Sequence, residues 1–138
     1  MNIKSLAHVC VKTTDLQQTA GFLVWRLGNA EAFDFTQKGE VIGFYLKASN
    51  DTFFEVFRTG DTEPITGGQI LSHFCFKTDS IEKLRQTLVN QGYAPGEIIM
   101  GADNALQFWI QDPNGLNIEF QQYTEHSSQL TGKNVEVN

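Results

Sequence analysis

Two copies of one motif lie in this chain, and that repeat limits the possible folds more than any other feature. Residues 6–13 read LAHVCVKT and residues 71–78 read LSHFCFKT, at an offset of 65. Leu6/Leu71, His8/His73, Cys10/Cys75, Lys12/Lys77 and Thr13/Thr78 are identical, and Val9/Phe74 and Val11/Phe76 exchange one apolar residue for another. Self-similarity at a fixed period marks one supersecondary unit used twice. An aspartate follows each copy (Asp15, Asp79), and then apolar residues at helical spacing: Leu16, Phe22, Leu23 and Leu27 in the first half, Ile81, Leu84, Leu88 and Val89 in the second. Trp25 and Phe22 read as part of that helix core. Each helical stretch runs into a glycine, Gly28 or Gly92, where a left-handed C-cap is expected.

Strand-like runs complete both halves. They are predicted over residues 30–36, 41–48 and 52–58, then over 96–100, 105–111 and 116–122, with Asp112-Pro113-Asn114-Gly115 as a turn. FFEVF at 53–57 matches NIEFQ at 117–121, with glutamates 64 apart. Each half therefore reads as one strand, one helix and three strands. Module 1 spans about 3–58, a linker 59–70 and module 2 about 71–123. Residues 124–138 read as a polar surface arm or frayed tail. A unit of some 60 residues is marginal alone, so the modules are expected to pair into one α+β domain over 1–138, two βαβββ modules forming a curled mixed sheet.

Charge and composition exclude several partners. With 16 acidic and 10 basic residues the net charge is −6, which repels phosphate backbones and gives no polybasic membrane anchor. No apolar run reaches 18 residues, MNIKSLAHVCVKTTDL lacks a signal-peptide pattern, and two cysteines make no disulfide framework. A cytoplasmic protein without nucleic-acid or membrane partners is expected.

Side chains alternate along a strand. Leu6, His8, Cys10 and Lys12 share one face, opposite the small apolar Ala7, Val9 and Val11 that suit a helix. His73 and Cys75 lie opposite Phe74 and Phe76. Glu55 shares its face with Phe53 and Phe57, and Glu119 with Asn117 and Gln121. Each module thus offers one histidine and one glutamate away from the helix side. A half-buried carboxylate is costly unless paired or bound to a metal. Two imidazoles and two carboxylates neutralise one divalent cation, and the mixed nitrogen–oxygen set suits Zn, Ni, Fe, Mn or Co. His8, Glu55, His73 and Glu119 are the candidate ligands. Cys10 and Cys75 read as small buried lining residues, and His126 as solvated.

The stretches LAHVCVKTTDL with FLVWRLGN, then TFFEVF, SHFCFKT and FWIQDPNGLNIEF, resemble the glyoxalase I / vicinal oxygen chelate superfamily over residues 3–123. The resemblance implies paired βαβββ modules curled around a metal (the glyoxalase/bleomycin-resistance/dioxygenase fold). His8, Glu55, His73 and Glu119 match the four ligands of glyoxalase I-like lyases, whereas fosfomycin-resistance transferases and extradiol dioxygenases use three. It implies a lyase or isomerase that chelates two vicinal oxygens of a small 2-oxo or 2-hydroxy compound, free or carried on a thiol, and moves a proton with Glu119 or Glu55, Glu119 being favoured. The glutathione-holding Arg and Asn of glyoxalase I are replaced by Lys12 and Thr59. Lys12, Thr59, Phe53, Phe57 and Trp109 are the candidate substrate contacts. Many relatives are dimers, so a homodimer is expected, with the site either within one chain or shared between two. The other readings are a different enzyme of the superfamily, an Fe(II) dioxygenase or a thiol transferase, and a metal-free binding module.

Overall fold

The computed structural model describes residues 3–26, 28–60, 70–111 and 117–138. The strands are β1 (Ile3–Thr13), β2 (Ala30–Gln37), β3 (Glu40–Lys47), β4 (Phe53–Arg58), β5 (Leu71–Thr78), β6 (Ile99–Met100), β7 (Ala105–Gln111), β8 (Asn117–Tyr123) and β9 (Val135–Glu136). The helices are α1 (Leu16–Ala20), which continues as a π-helical turn over Gly21–Arg26, α2 (Ile81–Asn90) and α3 (Ser128–Thr131). The predicted turn at 112–115, most of the linker (61–69) and Leu27 lie outside the described residues, as does the Phe22 side chain.

All these strands join one curled mixed sheet in the order β6-β7-β8-β5-β1-β4-β3-β2-β9. The repeat explains the order. In each half the first strand pairs in parallel with the last, β1 with β4 and β5 with β8, and the others follow by antiparallel steps. The halves join where the two copies of the motif run antiparallel, β1 against β5. α1 and α2 lie on one face. α1 and its π-helical extension cover Phe44, Leu46 and Val56 through Leu16, Ala20, Leu23 and Val24, and α2 covers Phe108 and Phe120 through Ile81, Leu84 and Leu88.

Helix ends follow the sequence signals. Asp15 caps α1, its Oδ1 accepting from Gln18 N at 2.9 Å. Gly28 and Gly92 take the left-handed conformation at φ +76° and +89°. Ser80 makes no side-chain cap on α2; Gln122 Oε1 instead accepts from Ile81 N at 2.8 Å.

Four expectations change. Trp25 is 84% exposed, because a π-helical turn carries more residues than an α-helical one and rotates the following side chains off the predicted stripe. Val89, at the end of α2, is likewise 41% exposed. The strand predicted over 96–100 shrinks to Ile99–Met100. Pro95 has no N–H to donate, and the chain touches β7 through Gly96 N, which donates to Trp109 O at 2.9 Å, before the ladder resumes.

The largest change concerns the predicted frayed tail, which is docked. β9 pairs in parallel with β2, Val135 opposite Phe35. Val135 is buried among Phe33, Phe35, Tyr45 and Phe53, with Val137 packed alongside. Asn134 Oδ1 accepts from Asp34 N at 2.8 Å, and Ser127 and Ser128 are buried. A segment polar in average composition thus docks through two alternate valines, too few to register as a pattern.

Gly43 on β3 is a place where only glycine fits: a Cβ there would lie 2.4 Å from Val56 O and 2.8 Å from the Phe57 ring. Gly21 has helical φ of −54° and nothing within 4 Å of a Cβ. Gly43→Ala is expected to lower unfolding free energy by about 1–3 kcal/mol. Gly21→Ala is expected to leave it unchanged or raise it by about 0.5–1 kcal/mol. Urea denaturation of both variants checks the contrast.

Candidate functional site

The β1–β5 ladder decides where the histidines meet. His8 lies opposite Cys75 and Cys10 opposite His73, while Glu55 and Glu119 stand beside Cys10 and Cys75 on the flanking strands. The ladder skips one residue before each histidine, Ala7 in β1 and Ser72 in β5. These are equivalent positions of the repeat, and such bulges re-aim the side chains beside them. As a consequence Leu6 lies opposite Phe76, a helix-side residue, and does not share the face of His8 as simple alternation predicts.

Four side chains converge on the inner face within a single chain. His8 Nε2 and His73 Nε2 are 2.9 Å apart. Glu119 Oε2 is 3.0 Å from His8 Nε2 and 3.3 Å from His73 Nε2. Glu55 Oε1 is 3.7 Å and 3.5 Å from the same two atoms. All four residues are buried. Donors sharing one cation at about 2.1 Å lie about 3.0 Å apart at right angles and about 3.4 Å apart at the tetrahedral angle. His8, His73 and Glu119 lie at such separations and form a group of possible ligands for one small ion, with Glu55 slightly further from both histidines, so the residues present fit a divalent metal.

The outer nitrogens support the same reading. His8 Nδ1 is 2.6 Å from the Tyr45 hydroxyl, and His73 Nδ1 is 3.1 Å from Ser72 Oγ. A hydroxyl that accepts from Nδ1–H leaves the Nε2 lone pair facing the centre. The two modules solve this differently. Tyr45 lies opposite Glu55 and Trp109 opposite Glu119, so both aromatics hold equivalent places and both meet a histidine edge-on, with centroids 5.4 Å and 4.7 Å apart. Tryptophan cannot reach Nδ1 as tyrosine does, and there the bulged Ser72 takes over.

The carboxylates differ. Burial alone would raise the Glu119 carboxyl, but hydrogen bonds and charge from His73 and His8 outweigh it and bring it down to about 2. Gln121 Nε2 also donates to Glu119 Oε1 at 3.0 Å. Glu55 is raised, because burial and the like charge of Glu119 outweigh the attraction of the histidines. His8 is raised too: the two glutamates overcome its desolvation. Environments that push two carboxyls apart suit a pair with divided roles.

Other predicted residues are placed less centrally. Trp109 is half-buried against His73. Phe53 and Phe57 are on the inner face but belong to the aromatic cluster that holds Tyr45. Lys12 is exposed, four residues along β1 from His8 and so about 13 Å away. Thr59, whose N–H donates to Thr13 O at 2.8 Å, lies near the same end. Cys10 and Cys75 are buried in the cup wall. Cys10, Glu55 and His73 form a second cluster of possible ligands, in which burial and Glu55 push the Cys10 thiol well up. A groove of about 630 Å³ between α1 and β2–β3, lined by Asp15, Trp25, Glu31 and Arg58 among others, lies away from the four.

Tyr45, Ser72, Gln121, Asp103 and Gln129 support the centre without having been singled out in the sequence. The repeat could have exposed Tyr45, which stands 64 residues before Trp109, as Glu55 does before Glu119. Asp103 and Gln129 leave no such signal.

The sequence profile described as glyoxalase/bleomycin resistance protein/dioxygenase superfamily matches residues 7–108. No curated protein matches the sequence significantly. Similar solved structures include methylmalonyl-CoA epimerase from Mycobacterium tuberculosis (TM-score 0.72, 16% identity, covering 88% of this chain and 89% of that one). The Streptomyces coelicolor methylmalonyl-CoA epimerase in complex with 2-nitronate-propionyl-CoA gives 0.70 and 14%, covering 88% and 99%. A hypothetical protein from Bacillus halodurans C-125 gives 0.71 and 19%, covering 88% and 95%.

The lowered Glu119 carboxyl links stability to acid. Its contribution is complete above the ordinary value of 4.5 and is lost as the pH falls through about 2. Metal-free wild type is expected to be more stable than metal-free Glu119→Gln at neutral pH, with a gap that narrows from pH 4.5 towards 2. Urea unfolding of both proteins across that range checks it.

Proposed function

The chain belongs to the glyoxalase/bleomycin resistance protein/dioxygenase superfamily, and on that premise we propose that it is a metal-dependent lyase or isomerase that moves a proton beside the carbonyl of a small 2-oxo or 2-hydroxy compound. The observation that supports this reading is the convergence of His8, His73 and Glu119 at separations suited to one cation, with Glu55 close by as a fourth candidate. A divalent cation held by these four would act as a Lewis acid on two neighbouring substrate oxygens and stabilise the negative charge left when the proton departs.

The protein's own groups supply the proton transfer. Glu55 Oε1 takes a proton from the carbon beside the carbonyl, as its raised affinity for protons suits a base. Glu119, braced by Gln121 and kept ionised by the histidines, holds its place as a ligand. His8 and His73 are ligands, held in the required tautomer by Tyr45 and Ser72. Trp109 and Phe57 supply apolar contact at the mouth. Lys12 and Thr59 lie far enough along β1 and β4 to meet the distal end of a longer substrate, such as a thiol conjugate. Two of the similar structures are methylmalonyl-CoA epimerases; at 14–16% identity they support the fold, and a thioester is one candidate for this chain.

Metal content of the wild type and of Glu119→Gln, measured by mass spectrometry after dialysis against Zn, Ni, Mn, Co and Fe(II), tests the centre. One cation per chain in the wild type is expected, with at least tenfold weaker retention in the variant. A protein that takes up none of these ions overturns the reading in favour of a binding module. With metal bound, exchange of deuterium from D2O into a panel of 2-oxo acids, 2-hydroxy acids and thioesters is expected at the carbon beside the carbonyl and is abolished by chelation. Oxygen uptake by the Fe(II) form without such exchange points to a dioxygenase.

A further inference from the structure

We propose that Gln129, which lies outside both repeats, is a positioning residue that completes the hydrogen-bond network behind Glu119 and so sets the geometry of the metal centre. The inference rests on the metal-centre reading above.

The network begins at Glu119. Gln121 Nε2 donates to Glu119 Oε1 at 3.0 Å and to Asp103 Oδ2 at 3.1 Å. Gln129 Nε2 donates to that same Asp103 Oδ2 at 2.7 Å and lies 3.5 Å from Gln121 Oε1. Asp103 and Gln121 are buried, at 8% and 2% exposure. A buried carboxylate needs all the donors it can find. Asp103 Oδ1 has Ala105 N at 3.2 Å, and Oδ2 has only the two glutamine amides among the described residues. Without Gln129, Asp103 Oδ2 would keep only one N–H of the Gln121 amide, whose other N–H braces Glu119. Gln129 thus helps fix Asp103, and through it the amide that holds the glutamate.

A second link to Asp103 comes from the backbone of the same helix. α3 itself is held to the cup floor, since Ser128 N donates to Asp103 O at 2.9 Å.

Titration of the full-length apoprotein with cobalt(II) chloride, followed by its visible d–d absorption, tests this without any substrate. Gln129→Ala and the shape-conserving Gln129→Glu are expected to weaken cobalt binding about tenfold and to shift the absorption bands. Leu130→Ala, on the same helix at an exposed position, is expected to leave both unchanged. If Gln129→Ala does not fold, Gln129→Glu carries the test. Wild-type affinity and spectrum in the Gln129 variants overturn the inference, as does an equal loss in Leu130→Ala, which marks a general effect of undocking α3. A wild type that binds no cobalt overturns the metal-centre reading instead.

Discussion

The antiparallel ladder between β1 and β5 is the constraint on which the rest depends. It sets the two copies of the motif face to face and brings two imidazole nitrogens to 2.9 Å. It also makes each module the wall that the other lacks: neither half alone encloses its histidine and glutamate. The burial of four polar groups raises a cost that the hydrogen bonds and opposite charges of the inner face offset. Helix packing on the far side then has only to keep the sheet curled.

The two modules share a backbone plan and differ in chemistry. Equivalent bulges precede the histidines, yet one is filled by Ala7 and the other by Ser72. Equivalent third-strand positions carry Tyr45 and Trp109. Where the bulge offers no hydroxyl, the aromatic does, and where the aromatic offers none, the bulge does. Each histidine therefore has one oxygen at Nδ1. The glutamates diverge in the same way, Glu119 fastened by Gln121 and Glu55 left with the freer carboxylate. Duplication supplies a symmetric set of candidate ligands, and unlike neighbours give the two carboxylates unlike proton affinities.

Much of the fold was legible because the repeat carries it. Two matching segments, two glycine-terminated helices and two glutamate strands determine the module plan, and alternation puts His8, Glu55, His73 and Glu119 on one face. Alternation failed at Leu6, since a bulge is a property of pairing between strands and no single strand announces it. The helical stripe failed at Trp25 because a π-helical turn changes the residue angle without a sequence marker. Gln121 was visible as a neighbour of Glu119. Asp103 and Gln129 were not, since each belongs to an irregular or short segment and acquires meaning only through long-range contacts.

β9 has a consequence for how the molecule assembles. Asn134 meets Asp34 across a separation of 100 residues, and Val135 fills the aromatic cluster of the first module. During synthesis β2 and its phenylalanines therefore emerge well before the strand that covers them. The first module stays open along that border, with an apolar inner surface and an unpaired edge, until the second module has been made. Completion of the earlier half is thus coupled to the arrival of the later one, and the nascent chain carries its most adhesive surface during that interval.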